Sequence, residues 1–476
     1  MSNGNGASIS RRVLDAISLF GSLKVVQILC SLVRTKIVAM VIGTAGVGLF
    51  GIFNSAIDFI TQIALMGVGS STTREVARHP DAAGRGRAVT IVRRWALALG
   101  CLGSVVTFLI APWLSEWSFG DGDHAWAFRF LAVCVCMSSV SQAEFAILQG
   151  LGLYRRVARA MLVGSVGGTL VAVPLIFWLK IDSIVPVIVA SMAMALIGAL
   201  TWRERKMPAP AMTVGEVFTG GRALISLGFF MTLSDLAALA SSYIFMAWLT
   251  TDWGSSTAGM FQAGFVLTNR YVGLVFSAIA MEFYPRLARN SSRPYFTEVM
   301  VSHEMKVVLT MLVPMTGLMS VCAPLLISLF YSGEFLAAAP FVEMGTVGTV
   351  FRGVAYCMSF VMLSRGDGRI YLVTEVTSSL VYVIVNMAVM KWCGIQGMGV
   401  AYAVWYGAYA VIVGLVFYRR YGMSLRRGIP LFIVYAVGMT AAIGVLSTYV
   451  NRWLALPLVA VAVTVSIPTL YRMRRR

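Results

Sequence analysis

Long apolar runs follow one another along the whole chain and constrain its fold more than any other feature. A helix needs roughly 20 mostly apolar residues to cross the hydrocarbon core of a membrane. Only 12% of the 476 residues are charged, about half of the roughly 25% typical of soluble domains. The sequence therefore excludes a soluble enzyme and a disordered chain, and it predicts an all-α polytopic membrane protein with about fourteen transmembrane helices. The predicted spans are residues 14–42, 49–71, 95–115, 125–148, 160–179, 184–202, 225–249, 258–282, 307–331, 338–364, 371–391, 396–418, 429–448 and 453–471.

Basic residues are distributed unequally between the two sides of the predicted membrane. The N-terminal segment and the loops after even-numbered spans hold 29 of the 38 Lys and Arg, whereas the opposite loops hold only Lys180, Lys391 and Arg452. Because cytoplasmic loops are enriched in Lys and Arg, this pattern predicts that both termini are cytoplasmic. The net charge of +18 thus sets orientation in the membrane, and no nucleic-acid partner is expected.

An internal repeat divides the predicted spans into two sets. Each second copy lies 211 to 216 positions after the first, which corresponds to six spans and therefore to copies of the same orientation. Parallel repeats of this kind form the two halves of some transporters, with the substrate between them. The sequence predicts an N-terminal lobe (1–206), a C-terminal lobe (207–421) and a C-terminal helix pair (422–476). The matched pairs are Gly48-x-Phe50 with Gly259-x-Phe261, Ala111-Pro112 with Ala323-Pro324, and Gly150-x-Gly152 with Gly366-x-Gly368.

Polar and charged residues form stripes inside several predicted spans. Charged residues within spans are costly and usually face a bundle interior or a water-filled cavity. On span 1 the polar positions fall within an arc of about 80°, since successive helical residues are about 100° apart. The stripes comprise Lys24, Gln27, Ser31 and Arg34 on span 1, Asn54, Asp58 and Gln62 on span 2, and Gln262, Asn269, Arg270 and Ser277 on span 8. Other spans contain single charged residues, which are Glu144, Asp235, Arg352 and Glu375.

These stripes predict a hydrated cavity between the lobes that binds an anionic substrate. Guanidinium groups match phosphate oxygens bidentately, so we expect Lys24, Arg34, Arg270 and Arg352, with Gln27 and Asn269, to bind substrate. Carboxylates in such a cavity can load and release a proton or Na⁺. The candidates for ion coupling are Asp58 and Asp235 first, with Glu144 and Glu375.

A simpler interpretation stays open for each charge taken alone. An Arg paired with an Asp or Glu could lock two helices together, and Asp58 or Asp235 could merely neutralise Arg34 or Arg270. Lys36 and Arg129 could extend their charged ends to the membrane surface, and Glu282 and Glu343 could lie at the membrane interface.

The sequence carries no signature of catalysis or of a cofactor. It has no Walker A motif, no large outward loop that could hold a catalytic centre, and only three widely separated His. The seven Cys lack metal-ligand spacing. We expect a protein that is not an enzyme, with no cofactor, no metal and no catalytic residue.

Several short motifs recur along the chain in an order that is typical of a known family. They are Arg34-Thr-Lys-Ile-Val-Ala-Met-Val-Ile-Gly-Thr-Ala-Gly-Val-Gly-Leu-Phe50, Gly259-Met-Phe-Gln-Ala-Gly-Phe, Asn269-Arg-Tyr-Val-Gly-Leu, Tyr284-Pro-Arg-Leu-Ala, Phe351-Arg-Gly-Val-Ala-Tyr, Tyr371-Leu-Val-Thr-Glu-Val-Thr and Gly397-Met-Gly-Val-Ala-Tyr-Ala. These motifs resemble the bacterial lipid-linked oligosaccharide flippases, the Wzx-type translocases of O-antigen and enterobacterial common antigen. The similarity covers most of residues 14–420.

The resemblance implies the fold of the multidrug/oligosaccharidyl-lipid/polysaccharide exporter superfamily, two six-helix lobes in a V that open alternately to each side. The implied cargo is an undecaprenyl-diphosphate-linked oligosaccharide, moved to the periplasmic leaflet of the inner membrane. The family's cavity cations would map onto Lys24, Arg34, Arg270 and Arg352. We expect a monomer that works with a polysaccharide polymerase and with membrane lipid. The last two spans depart from the usual twelve-helix plan and are shared in kind with the peptidoglycan-precursor (lipid II) flippase.

Other functions remain as alternatives. A multidrug cation antiporter of the same superfamily should have a cavity richer in carboxylates than in arginine, contrary to Arg34 and Arg270. A peptidoglycan lipid II flippase would explain the last two spans. A polysaccharide polymerase or ligase should have a substantial outward catalytic loop, which the sequence lacks. A purely structural scaffold would leave the polar stripes without a purpose.

Overall fold

A computed structural model describes the chain at residues 23, 26–65, 72–73, 75–76, 81–205, 207, 212–273, 276, 279, 283, 286–287 and 293–474, without the side chains of 214, 220–231, 270–271 and 470–474. The described chain is helical, with no strand in these ranges. Its helices are α1 (26–41), α2 (Gly43–Leu65), α3 (Ala82–Phe119), α4 (Ala125–Gly150), α5 (Tyr154–Leu162), α6 (Gly168–Leu179), α7 (Ile184–Thr201), α8 (Val214–Phe265), α9 (Pro294–Val321), α10 (Ala323–Phe330), α11 (Ala339–Ser364), α12 (Gly368–Cys393), α13 (Met398–Arg419), α14 (Ile429–Val445) and α15 (Arg452–Arg474).

Ten helical stretches in the described ranges are long and apolar enough to cross a membrane. Three of them are interrupted where the sequence predicts a loop between spans. The interruptions are at Lys180 (φ +49°), Gly254 (φ +83°) and Gly394 (φ +62°). The prediction of an all-α polytopic membrane protein is confirmed, while the count of fourteen spans stays a prediction.

Helix boundaries differ from the predicted spans at several positions, and two of them show a physical cause. The connection predicted at residues 43–48 is wrong, because α2 already begins at Gly43, whose φ of +81° turns the chain at a single residue. Helix α3 begins at Ala82, before the predicted start of its span at 95, and the side chain of Asp81 caps it by accepting a hydrogen bond from the Gly84 N–H at 2.7 Å. At 1.5 Å per residue, the 38 residues of α3 extend about 57 Å, well beyond the roughly 30 Å hydrocarbon core. Hydropathy therefore predicts the apolar part of this helix, and the helix itself is longer than a membrane crossing requires.

Within the described part of the chain, three π turns interrupt the α-helices, at Val163–Gly167, Val266–Tyr271 and Leu446–Val450. A π turn places its hydrogen bond one residue further along the chain than an α turn does, and such turns often occur at functional sites. The second π turn contains Asn269 and Arg270, two of the predicted substrate-binding residues.

The chain divides into two compact units, Met1–Gly254 and Ser255–Arg476. In the first unit α4 packs against α2, α3 and α7. In the second unit α11 lies at the centre and packs against α9, α13 and α14, and the C-terminal helices α14 and α15 pack against α9. Val321, Ile443, Ala455 and Val459 form a buried apolar cluster there. The predicted three-part division of the chain stays a prediction.

Glycines allow α11 and α13 to approach closely. A Cβ on Gly348 would lie 2.8 Å from the Tyr402 carbonyl oxygen, and one on Gly399 would lie 2.7 Å from the carbonyl oxygen of Phe341. Small residues at the interfaces of membrane helices let the backbones meet, which increases van der Waals contact. These two positions therefore fix the separation of the two helices.

We expect Gly399→Ala to destabilise the protein by about 1–3 kcal/mol, the usual cost of overpacking a well-packed interior. The measurement is the thermal unfolding midpoint in detergent. Gly414→Ala, on the same helix, is the matched control, because its Cβ would lie no closer than 3.8 Å to its nearest neighbour. Equal midpoints for the two variants would contradict this account of the α11–α13 contact.

The third pair of the internal repeat has a different register from the predicted one. Gly152 and Gly366 both have positive φ, +72° and +76°. After each, the next N–H bonds to the carbonyl five residues earlier, Leu153 to Leu148 and Asp367 to Met362. The turn after α4 thus repeats in the turn after α11, and Gly152 corresponds to Gly366.

The segment that leads into α8 is attached to the basic end of α3. Thr213 and Glu216 form a reciprocal cap, in which each side chain accepts a hydrogen bond from the other's N–H. Arg87 contacts Glu216 at 3.4 Å, and Arg94 donates to the Met212 carbonyl at 2.9 Å. The hydrogen bonds from Thr213, and secondarily Arg87, lower the pKa of the Glu216 carboxyl.

Candidate functional site

Arg352 lies in the middle of α11 and is the best-defined cation of the predicted site. Its Nη1 donates to the carbonyl oxygen of Asn269 at 2.9 Å and to the Oδ1 of the same residue at 3.1 Å. Two predicted substrate-binding residues from different helices thus lie in direct contact. The side chain is half-buried, and among the residues that the structure describes no carboxylate lies within 4.0 Å of it.

Aromatic rings surround this guanidinium. Its Cζ lies 5.0 Å from the centre of the Phe276 ring and 5.5 Å from that of Tyr406. Tyr406 also lies near the amide of Asn269, with Nδ2 and Oη 3.4 Å apart. Cations are attracted to the faces of aromatic rings, so the rings hold the guanidinium in place without neutralising its charge.

A second arginine, Arg34, lies on α1 in the first unit. Its Nη1 donates to Ser191 Oγ on α7 at 3.1 Å, and its Cζ lies 5.2 Å from the centre of the Phe50 ring on α2. The side chain is half-buried. Arg34 therefore resembles Arg352 in being held by a hydroxyl or carbonyl oxygen together with an aromatic face.

The remaining predicted substrate-binding residues are described less fully. Gln27 is half-buried on α1. Lys24 lies outside the described residues, and so does the side chain of Arg270, whose backbone belongs to the π turn. The roles of all six predicted substrate-binding residues stay predictions.

Two of the carboxylates proposed for ion coupling have exposed side chains. Asp58 lies on α2 and Asp235 on α8, both in the first unit. Asp235 forms no salt bridge at 4.0 Å or less with any residue that the structure describes. The role of both carboxylates in ion coupling stays a prediction.

Glu144 forms an ion pair that joins helices, which is the simpler interpretation given above for a charge within a span. Its carboxylate is buried on α4 and accepts two hydrogen bonds from Arg93 on α3, at 2.6 and 3.0 Å. Arg93 also donates to the carbonyl of Glu204, whose carboxylate accepts from Arg156 at 2.6 Å. This cluster joins α3, α4 and α5 to the end of α7, as expected of a structural ion pair.

Glu375 and Glu343 have local partners in the second unit. The half-buried Glu375 on α12 accepts a hydrogen bond from the Tyr409 hydroxyl on α13. The buried Glu343 lies 4.0 Å from Arg452 at the start of α15. Glu343 is thus inside the helix packing, close to the first turn of α11, and its depth in the membrane stays a prediction.

Arg129 and Lys36 were the two cations expected near span ends. Arg129 is exposed in the first turns of α4, with its Cζ 5.7 Å from the centre of the Phe108 ring. Lys36 is half-buried on α1. The position of Arg129 agrees with a side chain that reaches the membrane surface along an aromatic face.

The aromatic residues of the site were missed in the sequence. Tyr402, Trp405, Tyr406 and Tyr409 recur at the i, i+3, i+4 and i+7 positions of α13, and Trp405 contacts the Tyr406 ring at 4.1 Å between centroids. This spacing marks one face of a helix and could have indicated the aromatic surface that lies beside Arg352. The sequence does not distinguish a packed aromatic face from a lipid-exposed one.

Comparison with known proteins connects this geometry to a family. The family described as polysaccharide biosynthesis protein matches residues 13–291, more than half of the chain. The lipid III flippases of Escherichia coli (strain K12) and Shigella flexneri are each 22% identical over 387 residues, which is 81% of this chain and 93% of theirs.

Solved structures share the fold. The lipid II flippase MurJ, in an inward closed conformation, superposes with a TM-score of 0.71 at 12% identity and covers 96% of this chain and 100% of its own. An inward-facing multidrug resistance MATE family transporter of the MOP superfamily gives 0.68 at 17% identity, over 83% of this chain and 94% of its own. The predicted fold class is confirmed.

Proposed function

Because the chain belongs to the polysaccharide biosynthesis protein family, we propose that it flips a lipid-linked oligosaccharide from the cytoplasmic to the periplasmic leaflet of the bacterial inner membrane. The resemblance that the sequence motifs indicated is confirmed, and so is the expectation of a transporter rather than an enzyme. In this proposal both termini are cytoplasmic, and the protein acts as a monomer alongside a polysaccharide polymerase.

The observation that carries the proposal is the environment of Arg352. A positive charge within a membrane-spanning helix is costly unless a partner or a function offsets it. The groups that contact this guanidinium are an amide, a carbonyl and aromatic rings, so its charge remains available to an anion. The anion that fits the family is the diphosphate of an undecaprenyl-diphosphate-linked oligosaccharide.

In this mechanism the cationic side chains bind the diphosphate while the sugars occupy water and the prenyl chain stays in lipid. Arg34 and Arg352, with Lys24 and Arg270, supply the charge, and Gln27 and Asn269 supply hydrogen bonds. Alternate opening of the two lobes exposes the diphosphate first to one side and then to the other. Protons or Na⁺ drive the cycle through membrane carboxylates.

The experiment is translocation in liposomes that contain the purified protein and an undecaprenyl-diphosphate oligosaccharide, with and without a pH gradient. A glycan-modifying enzyme added outside reports how much cargo has reached the outer leaflet. Protein-dependent flipping that accelerates with the gradient supports the proposal. If the verified cargo does not flip but a cationic dye is exported, the protein is a multidrug antiporter.

A lipid II flippase is a second candidate, favoured by one observation. The MurJ superposition extends over 96% of this chain, so it includes part or all of α14 and α15. The same liposomes, prepared with lipid II in place of the undecaprenyl-diphosphate oligosaccharide, distinguish the two. Faster flipping of lipid II would replace the first proposal with the second.

The coupling proposal predicts a change in pH dependence. Asp58→Asn or Asp235→Asn should slow flipping and flatten its dependence on the pH gradient, because an amide cannot carry the proton. Asp123→Asn, in the exposed turn before α4, is the control and should behave as the parent. An unaltered response to the gradient in both Asp58 and Asp235 variants would remove these residues from coupling.

A further inference from the structure

An apolar groove of about 420 Å³ lies among α11, α13 and α14 in the second unit. Phe351 and Met358 line one side, Gly407 and Gly414 the second, and Ile433 the third. The groove extends to the segment between α13 and α14, where Tyr418 and residues 423–425 complete its lining.

The glycines of the groove differ from those at the α11–α13 contact. A Cβ on Gly407 would lie 3.6 Å from the Phe351 ring, and one on Gly414 would lie 3.8 Å from Met358 Cε. Both are ordinary contact distances, unlike the clashes at Gly348 and Gly399. Because glycine has no side chain, neither position fills the groove that it lines.

One end of the groove carries positive charge. Arg365 follows Met358 by seven residues, which returns an α-helix to nearly the same face. Its Cζ lies 5.0 Å from the centre of the Tyr421 ring. Its Nε is buried and has no hydrogen-bond partner among the residues that the structure describes. Arg365 thus directly follows α11, at the end where its groove-lining face leads to Tyr421, and carries an Nε–H that is unpaired among the described residues.

Two carboxylates near this end already accept hydrogen bonds from other groups of the protein. Tyr421 donates to Asp367 Oδ2 at 2.7 Å, and Glu298 Oε1 accepts from the Ser424 N–H at 2.8 Å. Burial, then the hydrogen bond to Asp367, raises the pKa of the Tyr421 phenol, so it stays neutral.

Around these groups lie exposed arginines of the same segment, which make the end of the groove cationic overall. They are Arg420, Arg426 and Arg427.

We propose that this groove binds one anionic phospholipid, with an acyl chain along Gly407 and Gly414 and the phosphate at Arg365. The apolar lining suits an acyl chain, and the cationic end suits a phosphate, since basic pockets between membrane helices bind anionic lipid headgroups. In the orientation that the basic loops predict, this end lies in the cytoplasmic leaflet. The site is separate from Arg352 and does not depend on which cargo the protein moves.

The experiment uses the full chain in nanodiscs with phosphatidylglycerol or phosphatidylcholine that carries a photoreactive group in one acyl chain. Irradiation and peptide mapping locate the labelled residues. We expect phosphatidylglycerol to label α13 between Gly407 and Phe417, and Arg365→Gln to reduce that labelling about tenfold, since hydrogen bonds to charged groups are the stronger ones. Arg419→Gln, which removes the same charge from an exposed residue at the end of α13, is the control and should label as the parent does.

A second variant tests the apolar part of the groove. Gly414→Leu should fill the space and abolish labelling while the thermal midpoint stays near that of the parent. Equal labelling by both lipids that is insensitive to Arg365→Gln would overturn the proposal and indicate ordinary surrounding lipid. Displacement of the label by undecaprenyl diphosphate, but not by excess phosphatidylglycerol, would overturn it in favour of the prenyl chain.

Discussion

Replacing Arg352 by Ala should reduce flipping about 100-fold while the protein remains folded in the membrane. A charge-assisted hydrogen bond contributes about 1.5–3 kcal/mol, and a bidentate contact with a diphosphate loses two of them. At 1.4 kcal/mol per factor of ten, the lower end of this range, about 3 kcal/mol for two bonds, amounts to roughly two orders of magnitude. The measurement is the initial flipping rate in liposomes at equal protein density.

Two further variants separate charge from geometry at this position. Arg352→Lys keeps the charge without the planar fork and should retain an intermediate rate. Arg129→Ala removes an exposed arginine that stacks on Phe108 and should flip cargo at the parental rate. A parental rate for Arg352→Ala, with correct membrane insertion, would remove Arg352 from the binding site.

Glu144→Ala should destabilise the first unit by about 3 kcal/mol, because it leaves the Arg93 guanidinium partly buried without its carboxylate. The carboxylate is 3% exposed and the arginine 26%, so water can replace the lost partner only in part. The measurement is the thermal unfolding midpoint at a fixed scan rate, which should fall by several degrees.

The double variant Arg93→Met with Glu144→Met distinguishes structural support from ion coupling. Replacing both charges with apolar side chains is often neutral in stability, so the midpoint should recover. If Glu144 only supports the fold, this variant should flip cargo with the parental response to a pH gradient. A recovered midpoint together with a lost response would make Glu144 a coupling residue after all.

Apolar run length predicted the helical class well, because crossing a hydrocarbon core demands satisfied backbone groups over a fixed distance. Helix ends were predicted poorly, because apolar run length reports only the part of a helix that lies in the hydrocarbon core. Hydropathy changes at the membrane surface, whereas α3 continues for thirteen residues before its predicted span, starting at the cap provided by Asp81. The start of α2 depends on the backbone conformation of Gly43, which composition does not encode.

The partners of the charged residues could not be predicted from the sequence, because they lie far apart along the chain. Arg93 and Glu144 are 51 positions apart, and Arg352 and Asn269 are 83 apart. All except Arg93 were identified as unusual polar residues within spans, yet their partners depend on which helices are adjacent. Arg93 itself was counted among loop residues, so its support of Glu144 became visible only with the extended α3.

The π turn at Val266–Tyr271 has a consequence for evolutionary comparison. Such a turn accommodates one residue more than regular α-helix requires over the same rise, and every side chain beyond it is rotated by about 100°. A homologue that lacks one residue here could form a continuous helix with a different face towards its neighbours. A single-residue gap within this otherwise uninterrupted stretch would therefore separate subfamilies whose helices present different residues after position 271.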